Sequence, residues 1–198
     1  VVFTHSPARR APTPVRVVDI DILTRAVRLG RRRSVARLAG SSVLADRGAV
    51  WPVVATALAP WRATRPAGAA GLAAVGATAT LTHAAKLLVR RRRPPRSLRM
   101  LARAPGRRPT TWSFPSGHTA NAFAFATAAG FQQPVTVAVL GPFAAAVAVT
   151  RVTTARHHPS DVAASLLLGC GVGCAVGAAA RAWAERNTKR DETQSLSQ

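Results

Sequence analysis

Tyrosine is absent from this 198-residue chain, aromatic residues make up 5% of it, and Asp and Glu together number seven. Each scarcity excludes a class of protein. Binding of single-stranded nucleic acid combines a basic groove with aromatic rings that stack on the bases. The arginines here have no such rings between them, so nucleic acid is not expected as a partner. Metal-assisted hydrolysis draws on clusters of carboxylate or histidine ligands. Between Asp46 and Glu185 the chain offers one acid, Asp161, so neither a metal site nor any other cofactor is expected. Cysteine is equally scarce. Cys170 and Cys174 stand i,i+4 on one apolar stretch without zinc spacing, and read as two packed thiols rather than a disulfide. Period-two alternation with hairpin turns is missing, as is any internal repeat. The fold class that remains is all-α.

What is present is a pairing of 48% hydrophobic residues with a formal net charge of +21. Those two properties conflict in a soluble domain. They agree in a small membrane protein whose basic loops face lipid headgroups. Residues 1–18, with Pro7, Pro12 and Pro14 among Arg9, Arg10 and Arg16, read as a disordered basic tail. Residues 19–47 contain an amphipathic helix. Ile20, Leu23, Val27, Val35 and Leu38 fall near helical spacing with arginines between them, which predicts a helix lying on the membrane surface, apolar side down. Residues 48–184 form the membrane domain, in five apolar runs over 48–61, 67–89, 117–131, 134–150 and 161–184. The first run is short of the roughly 20 residues a crossing needs, although Trp51 and Trp61 at its ends suit interfacial anchoring. Residues 185–198 are a polar C-terminal tail. The expected architecture is a bundle of about five transmembrane helices plus one interfacial helix.

Alternating crossings carry the chemically distinctive residues to one face of the membrane. The second run ends there with Lys86 and Arg93, and the third starts there with Ser116, Gly117 and His118. The fourth returns with Arg151, His157 and Asp161. The loop from Arg90 to Trp112 adds nine arginines, counting Arg93, and no carboxylate. At Phe114–Thr119 an N-cap serine and a glycine open a helix, whose unpaired N–H groups and positive dipole end suit an anion. His157 precedes Asp161 by one helical turn. A carboxylate that reaches back to a histidine fixes its tautomer and leaves the other ring nitrogen for substrate. Two histidines, at least three cations and a helix N-terminus fit phosphoryl transfer without a metal. One histidine would attack phosphorus and the other protonate the leaving oxygen. A serine hydrolase built on Ser116, His157 and Asp161 lacks the Gly-x-Ser-x-Gly elbow and leaves the arginines unexplained. His158 reads as a loop residue or headgroup contact, and His83 as a buried packing histidine or a supporting partner of the site. Arg90 to Arg92, Arg96, Arg99, Arg103, Arg107 and Arg108 read as solvated or lipid-facing.

Lys86, six residues, then Arg93-Pro94 resembles the first motif of the type 2 phosphatidic acid phosphatase superfamily. Pro115-Ser116-Gly117-His118 is similar to its second motif. Arg151, five residues, His157, three residues, Asp161 is similar to its third. Thr150 stands where the family usually has serine before the arginine, and a hydroxyl is kept. The resemblance covers about residues 86–161 and leaves the N-terminal region outside. It implies that Lys86, Arg93 and Arg151 bind phosphate, with Ser116 and Gly117 completing the cradle. It also implies His157 as nucleophile, oriented by Asp161, and His118 as general acid.

The activity to be expected is that of a membrane phosphatase acting on a lipid phosphate monoester, polyprenyl or glycerolipid, by way of a phosphohistidine. A polyprenyl diphosphatase is the alternative within the same chemistry. A non-catalytic basic membrane protein that binds anionic lipid is the alternative from another class. The expected partners are the lipid phosphate substrate and membrane lipids, in a bacterial plasma membrane. The arginine bias of the 90–108 loop places the active-site side in the cytoplasm by the positive-inside rule.

Overall fold

A computed structural model describes residues 13–31, 50–103 and 110–196. Among them are seven helices: α1 (Pro14–Gly30), α2 (Val50–Leu58), α3 (Arg65–Val89), α4 (Arg96–Leu101), α5 (Gly117–Gln132), α6 (Thr136–Thr153) and α7 (Pro159–Leu196). The all-α class is as expected, and so is a bundle that contains helices of membrane length. Three helices, α3, α6 and α7, are long and apolar enough to cross a membrane. α2 has nine residues and α5 has 16. At 1.5 Å per residue these are about 14 and 24 Å long, against a hydrocarbon core of about 30 Å. The apolar run at 48–61 extends past both ends of α2, whereas α5 matches its run to within a residue.

α5 is the centre of the bundle and packs against α3, α6 and α7. Its buried residues, among them Ala120, Ala122, Ala124, Phe125 and Ala128, lie all round it rather than along one stripe. Alanine lets the neighbours come close. α7 comes closest, through a stripe of glycines. A Cβ at Gly173 would stand 2.7 Å from the Ala124 carbonyl oxygen, and one at Gly169 would collide with the carbonyl of Ala120. Small residues at every fourth position are how helices pack tightly where water supplies no driving force. Trp51 departs from its expected interfacial role. It is buried, stacks on Phe125 with ring centroids 5.2 Å apart, and meets Phe143 edge-on. Trp61 and Trp183 remain exposed.

The amphipathic helix also departs from expectation. α1 starts at Pro14, so residues 14–18 are helical rather than tail, and Val35 and Leu38 lie outside the described residues. The Leu23 and Val27 side chains do not face lipid. They are fully buried against Ala155, with Ile20, Leu98, Leu101 and Val152 packed around them. α1 therefore sits on α4 and on the turn between α6 and α7. At the other end of the chain, α7 continues as one helix through most of the expected polar tail. Cys170 and Cys174 are free thiols on α7.

Candidate active site

The helix ends expected to converge are joined by hydrogen bonds. After Lys86, α3 closes with Arg90 in a left-handed conformation at φ 47°, and Pro94 and Pro95 prevent the helix from resuming. The extended stretch that follows carries Arg91 and Arg93 across the mouth of the bundle. Arg93 acts as a pin. Its Nε donates to the Thr111 carbonyl at 2.8 Å, Nη2 to the Trp112 carbonyl at 3.3 Å and Nη1 to the Arg156 carbonyl at 2.7 Å. Nη1 also lies 3.2 Å from His157 Nε2. A planar fork can serve all of these directions at once, which an ammonium cannot.

His157 lies in the turn between α6 and α7. Arg151, in the last turn of α6, is 2% exposed. Its carbonyl accepts both the Arg156 and His157 amides at 3.1 Å. Ala155 completes the bend at φ 50°, a conformation an L side chain adopts at a cost. The His157 ring is held differently from expectation. Nδ1 is 2.7 Å from the Ser113 carbonyl oxygen and 3.8 Å from Asp161 Oδ2, beyond hydrogen-bond range. The backbone therefore takes the Nδ1 proton and leaves Nε2 with its lone pair beside Arg93. Burial, aided by the Arg93 charge, pushes the His157 pKa down to about 4 against the opposing pull of Asp161 and the Ser113 carbonyl. Both burial and the Arg93 charge thus favour the neutral ring.

Asp161, in the first turn of α7, is fully buried. Oδ2 accepts from the Ser113 hydroxyl at 2.5 Å and from the His158 amide at 2.9 Å, and Oδ1 accepts from Arg91 Nη1 at 2.6 Å. The other nitrogen of that fork, Nη2, donates to Asp19 of α1 at 2.6 Å. Asp161 is thus not the sole acid at the site, because α1 brings a second. Burial alone would raise the Asp19 pKa, but hydrogen bonds from Ser160 and Arg91 overcome it and hold the carboxyl below its ordinary range. Arg91 is not the solvated arginine expected; its side chain is 25% exposed and joins two carboxylates.

Ser116 occupies the N-cap position of α5 with extended backbone but makes no capping bond. Its hydroxyl pairs with Thr119 Oγ1 at 3.0 Å, and its amide donates to Ser165 Oγ at 2.7 Å. Ser116 is committed to holding α5 against α7. Gly117 and His118 follow in the first turn, both half-buried, where backbone amides have no carbonyl one turn earlier. Lys86 stands over this turn, since a Cβ on Gly117 would lie 3.5 Å from its Nζ. The Thr150 hydroxyl is spent on the Val147 carbonyl of its own helix. His83 is exposed on α3 rather than buried as expected. His158 is buried in the mouth of the bundle, where burial, with the nearby Arg91 charge, lowers its pKa. Asp19, Arg91, Ser113 and Ser165 were missed in the sequence. Ser165, one turn after Asp161 on the same helix face, was the most accessible of them.

An all-α bundle with membrane-length helices and a site of histidines and arginines where their ends meet defines the class of protein. The chain belongs to the PAP2 superfamily, whose family model matches residues 67–185. Its fold is similar to the crystal structure of the first transmembrane PAP2 type phosphatidylglycerolphosphate phosphatase from Bacillus subtilis. The TM-score is 0.63 at 21% identity, over 88% of each chain. No curated protein matches the chain by sequence.

Proposed function

We propose that the protein is an integral membrane phosphatase that hydrolyses a lipid phosphate monoester through a phosphohistidine at His157. The observation that carries this reading is the placement of the buried His157 ring, with Nδ1 2.7 Å from the Ser113 carbonyl oxygen and Nε2 3.2 Å from Arg93 Nη1. In the reaction, the Nε2 lone pair attacks phosphorus and the bond to the lipid oxygen breaks. Asp161, 3.8 Å from Nδ1, stabilises the positive charge that builds on the ring. Lys86, Arg93, Arg151 and the first-turn amides at Gly117 neutralise the phosphoryl oxygens. His118 gives its proton to the leaving alkoxide, then takes one from the water that cleaves the P–N bond.

The lipid tail would lie between the helices, and α1 would rest on the bilayer surface through its second apolar face, Val15, Val18, Ile22 and Leu29, which is exposed. A cavity of about 600 Å³ beside the site, lined by Arg16, Arg91, Arg92, Arg93, Phe114 and His158 among others, leaves room for a headgroup. The arginine bias of the 90–108 loop supports a cytoplasmic site. Labelling of Ala104→Cys in intact cells by a membrane-impermeant reagent would overturn that side.

Phosphate release from a panel of polyprenyl phosphates, polyprenyl diphosphates, phosphatidic acid and phosphatidylglycerolphosphate tests the activity. Monoester hydrolysis lost in His157→Ala is the expected result. Preference for the diphosphate would move the reading to a diphosphatase. No release from any lipid, with retained binding to anionic vesicles, would leave a non-catalytic lipid-binding protein.

A further inference from the structure

α1 lies outside the residues that the family model matches, yet it reaches the centre of the site. Asp19 is 3% exposed. Its Oδ1 accepts from the Ser160 amide at 2.9 Å, and its Oδ2 accepts from the Ser160 hydroxyl and from Arg91 Nη2, both at 2.6 Å. Ser160 is in the first turn of α7, where amides have no partner within the helix and the dipole favours an anion. Asp19 thus caps α7 from another helix. Arg91 carries the connection onward. Its Nη1 donates to the Ser160 hydroxyl at 2.7 Å and to Asp161 Oδ1 at 2.6 Å, and Asp161 Oδ2 accepts the His158 amide at 2.9 Å. One arginine is shared by two buried carboxylates, and the chain of bonds ends next to His157. The Leu23 and Val27 contacts with Ala155 seat α1 on the same turn.

We propose that Asp19 and Arg91 are positioning residues, a latch by which α1 holds the 155–161 turn, and with it His157 and Asp161, in the geometry for attack. The inference rests on the phosphatase reading for its kinetic part. Neither residue touches the reacting atoms. Losing Arg91 leaves two buried carboxylates without their cation, and losing Asp19 releases the Ser160 amide and hydroxyl and one arm of Arg91; either change frees the turn, so the loss should appear in turnover.

The test uses the full-length protein with Asp19→Ala, Arg91→Met and the double variant. Each single variant should lower kcat by about tenfold, less than the roughly 100-fold that a full 1 Å misplacement can cost, and Asp19→Ala should keep KM within about twofold of wild type. The double variant should be no more than about twofold below the poorer single, because both remove one coupled unit. Hydrogen–deuterium exchange should rise in the peptide covering residues 154–160 and stay at wild-type levels across α6. If Asp19→Ala fails to assemble, Asp19→Asn keeps the shape without the charge and should show the same pattern at about threefold. Wild-type kcat and exchange in a folded Asp19 variant would overturn the latch, as would losses that multiply in the double variant or a rise confined to KM. If the wild type released no phosphate from any lipid, the proposed function would fall, and exchange across residues 154–160 would decide the latch alone.

Discussion

The Ser113 carbonyl oxygen lies 2.7 Å from His157 Nδ1, closer than either oxygen of Asp161 comes. The proton that a catalytic carboxylate would usually hold is held here by the backbone. Ser113 connects to the carboxylate as well, through its hydroxyl. One residue from the segment before α5 therefore sets both the tautomer of His157 and the orientation of Asp161 behind it.

It follows that Asp161→Asn should be less damaging than the corresponding change in a triad whose aspartate sets the tautomer, where the loss is about 10⁴-fold. The ring keeps its Nδ1 proton on the Ser113 carbonyl and loses the charge that stabilises the imidazolium. We expect kcat to fall about 100-fold, or about 2.7 kcal/mol, in protein whose melting temperature shows it folded. A loss of four orders of magnitude would mean that Asp161 sets the tautomer after all.

Arg93 and Arg151 should not accept lysine. Lysine keeps the charge, but it cannot spread donors over Thr111, Trp112 and Arg156 as the Arg93 fork does. Arg93→Lys and Arg151→Lys should each lower kcat/KM by at least about tenfold, or about 1.4 kcal/mol. Arg96→Lys, exposed at the start of α4, should be nearly silent. An Arg93→Lys variant as silent as Arg96→Lys would show that charge alone matters.

Much of this site was legible because its parts are local. The spacing of Arg151, His157 and Asp161 falls across one turn, and prolines at 94, 115 and 134 mark the breaks between helices. Arg91 was not legible. It stands in a run of four arginines, and only the three-dimensional position of two carboxylates separates it from Arg90 and Arg92. Asp19 was hidden by distance, 141 residues from Ser160. Trp51 was misread because a tryptophan at the end of an apolar run resembles an interfacial anchor until its stacking partner, Phe125, is known. The extent of α2 was hidden for a related reason: composition reports that residues 48–61 are apolar, whereas the helix covers Val50–Leu58 alone.

The α5–α7 contact gives a stability test with an internal control. A Cβ at Gly173 would stand 2.7 Å from the Ala124 carbonyl oxygen, whereas one at Gly171 meets nothing within 4 Å. Alanine favours a helix over glycine by about 1 kcal/mol at either position. Gly171→Ala should leave the melting temperature unchanged or raise it, while Gly173→Ala should destabilise by about 1–3 kcal/mol through overpacking. Equal melting temperatures for the two would show that the helices do not approach this closely.

Burial of a neutral histidine has a definite sign in pH. The His157 pKa is about 4 in the folded protein against 6.5 for an unperturbed ring, so the unfolded chain binds the proton more tightly. The stabilisation is whole above pH 6.5 and is lost as pH falls toward 4. His158 shifts in the same direction. The melting temperature should drop across that window, and His157→Gln, which does not titrate, should flatten part of the drop. A His157→Gln protein with an unaltered pH profile of melting would show that the ring is not buried neutral.

The last prediction is that turnover passes through a phosphohistidine and survives removal of divalent metal. Its motivation is how the acids are used. Asp19 and Asp161 both give oxygens to Arg91 at 2.6 Å, and Asp161 is further engaged by Ser113 and His158. The cations are instead placed where a phosphoryl group would be, with Lys86 above Gly117 and Arg93 beside Nε2. Activity should therefore persist in chelator, and vanadate, which adopts a five-coordinate geometry, should inhibit. His157→Ala removes the atom that bonds to phosphorus and should abolish turnover. His118→Ala removes only the proton donor, so a trace should remain on substrates with good leaving groups. Rapid quenching of His118→Ala with labelled substrate should trap acid-labile phosphate on the protein. Complete dependence on added magnesium after chelation, or turnover by His157→Ala, would sink the mechanism.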